Sequence, residues 1–174
     1  MLVPGPVALS LGYAEEKPGD TEPNNRAKDH KISITANKLI SDNDVDYAEF
    51  IGDVRATQED TVITADRLKI FYKATAGQKG TPAIGKESIT KIVADGNVKI
   101  YFNNKVAVTS KAVYNTQTRT LVLSGNGSKI VSGDNSISGE KITIDRVTGR
   151  INVESGDKKR VEAVLYSGEK GLIK

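Results

Sequence analysis

Residues 62–68 read VITADRL, and the pattern returns as SITANKL (33–39), AVTSKAV (107–113) and SISGEKI (136–142). Thr35, Thr64, Thr109 and Ser138 align, at intervals of 29, 45 and 29 residues, as do Leu39, Leu68, Val113 and Ile142. A recurring interval marks a stacked architecture, in which each unit buries its apolar face only against its neighbours. Val, Ile and Thr in alternation suit a pleated, half-buried strand rather than a helix. Three of the four segments lead into a short apolar run that ends near glycine: FIGDV (50–54), VADGNV (93–98) and LVLSGNG (121–127). The unit is therefore a strand pair of about 29 residues, and the long middle interval holds a Gly- and Ala-rich insertion over 74–90.

The spacing inside the unit carries a second expectation. Ile34, Ile63, Val108 and Ile137 lie five positions before the aligned Leu39, Leu68, Val113 and Ile142. An odd spacing puts two residues on opposite faces of a regular strand. If both sets face inward, each strand changes face between them, and a bulge or bend near Ala36, Ala65, Ser110 and Gly139 would do so.

From Lys31 onward, strands are expected over 31–40, 47–51, 53–58, 61–72, 89–95, 97–102, 105–114, 119–124, 128–131, 136–144, 150–154 and 160–166. Asn103–Asn104, between IYF and KVAV, suits a type I′ hairpin, because Asn tolerates positive φ. Gly149 suits a left-handed position in the Asp145–Gly149 connection, and 132–135 form a further break. The chain of 174 residues is long enough for one domain with a core. It has no Cys and no Trp, one His, and a net charge of +3 with its cations scattered. A nucleic-acid binder would cluster those cations, so no nucleic acid is expected as a partner. Residues 1–14, MLVPGPVALSLGYA, are uncharged and too short to span a bilayer, and read as a signal-peptide remnant. Residues 15–30 read as a disordered leader, 31–168 as the β domain and 169–174 as a tail.

Motifs for chemistry are weak. Gly80 to Lys86 matches the start of a phosphate loop, but Glu87 stands where Ser or Thr is required and no helix pattern follows. Asp42, Asp44 and Asp46 have calcium-loop spacing, but Tyr47 replaces the needed glycine and Asp53 the closing glutamate. A single His30 without Cys builds no zinc site, and no nucleophile–base pair is legible. No catalytic residue, metal or cofactor is expected.

The stretches TVITADRLKIFYK (61–73) and NSISGEKITIDRVTGRINVES (135–155) resemble the strands of the LptA/OstA family, and FIGDVRATQED (50–60) and LVLSGNGSKIVSGDN (121–135) resemble its return strands. The similarity covers about 30–166. It implies an all-β, open, twisted, V-shaped jelly roll, located in the periplasm, with an apolar groove for the acyl chains of lipopolysaccharide. It also implies partners added at the sheet edges: LptC-like and LptD-like domains, and further copies head to tail. The apolar pattern nominates Ile34, Leu39, Val54, Ile63, Leu68, Ile70, Val98, Ile100, Val108, Val113, Leu121, Leu123, Ile137, Ile142, Ile144 and Val153 as groove lining. Two rivals predict other things: a structural β-solenoid segment of a surface protein, with a filled interior and no lipid, and a carbohydrate-active enzyme with converging carboxylates.

Overall fold

The computed structural model describes residues 31–41, 47–73, 89–157 and 160–167. The readings of 1–14, 15–30, the phosphate-loop-like and calcium-loop-like segments and 169–174 fall outside the described residues, as does His30. Within the described residues every regular element is a strand: β1 (Ser33–Thr35), β2 (Lys38–Ser41), β3 (Tyr47–Gln58), β4 (Thr61–Tyr72), β5 (Ile89–Phe102), β6 (Lys105–Asn115), β7 (Thr120–Ser132), β8 (Asn135–Asp145), β9 (Ile151–Glu154) and β10 (Glu162–Val164). They form one antiparallel sheet in which β3 to β8 follow sequence order. β1 and β2 lie end to end along β3 at one edge, and β10 and β9 along β8 at the other.

A crease crosses the strands. The inward residues of β4 are Ile63 and Ala65 before it, Leu68 and Ile70 after it, with Asp66 and Arg67 both exposed between. β6 does the same, with Ala107 and Thr109 buried, Ser110 and Lys111 exposed, then Ala112 buried. The expected change of face therefore occurs. Its cause lies one strand away from where the spacing pointed. The left-handed residues are Gly52–Asp53 on β3, Gly96–Asn97 on β5 and Gly125 with Gly127 on β7, while Ala65, Ser110 and Gly139 keep negative or extended backbone. Gly52–Asp53 oppose Asp66 alone, and Gly96–Asn97 oppose Ser110 alone, which makes each a two-against-one bulge. Gly96 is required twice over: its φ is +77°, and a Cβ there would strike the Asp66 carboxylate, which accepts a hydrogen bond from Asn97 Nδ2 at 2.9 Å.

The crease divides the sheet into two leaves. The first leaf carries β1, β10 and the strand halves next to them, including 54–58, 61–65, 98–102, 105–109, 128–132 and 135–139. The second carries β2, β9 and the other halves. Turns behave as their residues dictate. Asn103 and Asn104 have φ of 45° and 57°, as a type I′ turn needs, and Gly149 has φ 74°.

Candidate functional site

Residues directly opposed in an antiparallel sheet share a face, so the register lists what lines the fold. On the second leaf one inner row runs Leu39, Phe50, Leu68, Ala94, Ala112, Leu123, Ile142, Val153. A parallel row runs Ser41, Ala48, Ile70, Ile92, Tyr114, Leu121, Ile144, Ile151. On the first leaf the inner row is Ile34, Ala56, Ile63, Ile100, Ala107, Ile130, Ile137, Ala163. Val54 and Val98 are buried beside the crease, and Ile34, Phe50, Ile63 and Val153 pack against the core. Apart from Ser41 and Tyr114 these three rows are aliphatic or aromatic hydrocarbon throughout.

The rows differ from middle to end. Val98, Leu123 and Ile142 are 0% exposed, so the leaves are closed on each other there. Near β1 a gap of about 40 Å³ remains, lined from the first leaf by Ile34 and Ile63 and from the second by Leu68, Ile70 and Ile92. That is room for a few waters. At the edges the same rows come out into solvent, with Leu39 51% and Ile151 42% exposed.

Fourteen of the sixteen nominated residues stand on this inner face, Leu39 at its open end. Val108 and Val113 do not. Val108 pairs with Lys99 and Lys129 on the outer face and is 39% exposed, and Val113 pairs with Val93 and Val122 on the outer face of the second leaf. On β6 the inward residues are Ala107 and Ala112, each one position earlier, and a shift of one residue reverses the face. The pattern also missed Phe50, Ala94, Ile130 and the two β6 alanines; a buried Ala has no signal that separates it from a surface one.

One polar pair interrupts the crease on its inner side. Thr109 and Ser128, 4% and 0% exposed, share a hydrogen bond of 2.8 Å. Thr109 Oγ1 also lies 2.9 Å from the Ser124 carbonyl and Ser128 Oγ 3.1 Å from the Gly125 carbonyl, so whichever hydroxyl donates across the pair, the other donates to a backbone acceptor freed by the bulge. Among the described residues no group of three or more His, Cys, Asp or Glu could hold a metal ion. Asp145 is the carboxylate with a clear displacement: hydrogen bonds from the backbone N–H groups of Thr148 and Val147 hold its titration below the ordinary range. It is partly exposed, at the end of β8 where the turn begins.

Residues 33–150 match the family model described as LptA/(LptD N-terminal domain) LPS transport protein. An uncharacterised protein of Rhizobium meliloti (strain 1021) is 25% identical over 129 residues, covering 74% of this chain and 68% of its own. Among solved structures, LptH of Pseudomonas aeruginosa, the LptA-homologous periplasmic component of the lipopolysaccharide transport device, superposes with a TM-score of 0.65 at 17% identity, over 79% of this chain and 96% of its own. That likeness extends to the fold: a β-jelly roll of repeated strand pairs.

Proposed function

We propose that this chain, which belongs to the family of LptA/(LptD N-terminal domain) LPS transport proteins, is a periplasmic carrier that takes the acyl chains of lipopolysaccharide against its inner face. The family is one of transport proteins and not of enzymes. The observation that carries the lipid reading is the run of apolar inner rows to both edges, where Leu39 and Ile151 stand half-exposed.

Each methylene removed from water gains about 0.8 kcal/mol, so a chain of about a dozen gains on the order of 10 kcal/mol. Held in one closed pocket, that energy would be a trap. Along rows of equivalent residues each step exchanges like contacts for like, and travel is nearly level. In the closed middle, a chain entering between the leaves would replace hydrocarbon contacts with hydrocarbon contacts, so parting them costs little once lipid is present. The bulges at Gly52, Gly96 and Gly125 are the natural hinge line, since the ladder is already interrupted there. Direction must come from an energy source elsewhere.

The edges fit the proposed partners. β1 with β2, and β9 with β10, each pair on one side only among the described residues. Their unpaired N–H and C=O groups would accept a strand from an LptC-like or LptD-like domain or from another copy, carrying the inner rows on into the neighbour.

A photoreactive side chain at Leu39 should form an adduct with lipopolysaccharide, and one at Val113, on the outer face, should not. Equal labelling at the two positions would remove the inner face as the lipid site. The packed middle is also what a purely structural β-solenoid segment would have, and that reading predicts no adduct at Leu39.

A further inference from the structure

The outer faces of the two leaves are built differently. On the second leaf the cations stand beside acids or rings: Lys69 lies 3.7 Å from Glu49 and over the Tyr47 ring, Lys141 lies 3.3 Å from Glu154, Lys91 covers the Phe71 ring at 4.1 Å, and Arg67 and Lys111 flank Asp95 in register. On the first leaf one outer row runs Arg55, Thr64, Lys99, Val108, Lys129. Its three cations are exposed, and none has a hydrogen-bond or ion-pair partner among the described residues. Alternate strands place them roughly 10 Å apart in a line. The next outer row, roughly 7 Å along the strands, runs Val62, Tyr101, Val106, Val131. Tyr101 is 41% exposed and Val108 39%. The leaf's acidic residues sit at its margins: Asp53 and Asp66 at the crease, where they line one cleft with Arg55 and Thr64, Glu162 in β10, and Glu59, Asp60 and Asp134 in turns.

We propose that this face docks on an anionic phospholipid surface. A line of free cations calls for a partner with repeated negative charge, and spacing of this kind matches many headgroups rather than one small anion. A soluble polyanion would satisfy the cations but leave the valine–tyrosine row in water. A bilayer interface satisfies both, because headgroup phosphates meet Arg and Lys while aliphatic side chains and an amphipathic ring settle at the headgroup level. The leaf would lie flat on the membrane with the inner face turned away from it, so this contact is independent of any lipid held between the leaves.

The chain has no tryptophan, so a single one reports its own surroundings. In Tyr101→Trp, vesicles of phosphatidylglycerol and phosphatidylcholine should shift the emission to the blue, and pure phosphatidylcholine should not. Val113→Trp, on the other leaf, should stay unshifted with both. A lipid drawn between the leaves moves neither probe, which separates this result from the acyl-chain reading. Replacing Arg55, Lys99 and Lys129 together by Ser should weaken binding on the order of a hundredfold, at roughly a fivefold loss per charge. The three lie exposed on one face, and circular dichroism checks that the sheet survives. No shift in the Tyr101→Trp variant, equal shifts in both variants, or undiminished binding by a folded triple variant would each overturn the proposal; the first would leave the face to an acidic protein.

Discussion

The middle of the sheet and its two ends use the same rows for different purposes. Leu123 and Ile142 are wholly enclosed, whereas Leu39 and Val153, in the same register row, stand at the margins, Leu39 with half its surface in water. Residue type does not set this difference, since Leu occurs in both places. Position in the stack does: a middle strand has a neighbour on each side and the opposite leaf above, and an edge strand lacks one neighbour. Stability is therefore concentrated in the centre, and apolar surface free to meet a ligand is concentrated at the ends.

The largest effect should come from Leu123→Ala, which opens a cavity in the closed centre and should cost about 2–5 kcal/mol by urea denaturation. A loss below about 1 kcal/mol would mean the centre is not packed as described. Next is Gly96→Ala. It forces a Cβ into left-handed backbone and against Asp66, and about 1–3 kcal/mol should be lost. An unchanged midpoint would show that the crease does not depend on that bulge. Leu39→Ser should change stability by no more than about 1 kcal/mol, because only half of that side chain is buried, while removing hydrocarbon offered at that end. Should Leu39→Ser destabilise as much as Leu123→Ala, the contrast between centre and end would fail.

Much of this was legible beforehand, for physical reasons that also explain the misses. A strand shows its faces through period-two alternation, so β4 and β8, with large aliphatics inward and Asp, Arg, Glu or Lys outward, could be read directly. The five-residue interval revealed the change of face because an odd spacing has no other resolution on a strand. It does not say which strand of each pair is distorted, and in the sequence the glycine–aspartate pair of β3 and the glycine–asparagine pair of β5 look like ends of strands. In the structure they interrupt continuous ones, 12 residues long in β3 and 14 in β5. β6 misleads because its threonine aligns in sequence with Thr64 and Ser138, whereas the register makes Val108 their equivalent. The inward positions there are alanines flanked by valines that look more apolar, and only pairing partners reveal the slip. That the middle would be closed could not be read either, because enclosure depends on the approach of two leaves and not on any one strand.

The smallest effect contrasts two turns of one design, one in the middle and one near the end. Asn115 Oδ1 accepts the N–H groups of Gln117 and Thr118 at 2.9 and 3.1 Å, between β6 and β7. Asp145 Oδ1 accepts those of Val147 and Thr148 at 2.8 and 3.1 Å, between β8 and β9. The geometry is shared, but only the aspartate can be protonated. Its folded pKa is lowered, chiefly by the Thr148 and Val147 N–H bonds. Such a group stabilises the turn fully above its unfolded pKa, about 3.9, and that contribution fades as pH falls through the lower folded value. Protection of the Val147 and Thr148 amides should therefore weaken in strong acid while that of Gln117 and Thr118 holds. Asp145→Asn should keep the turn, since its amide oxygen accepts as that of Asn115 does, and should abolish the pH dependence. A carboxyl titration midpoint at or above the ordinary aspartate value would show that these amide bonds do not favour the charged form.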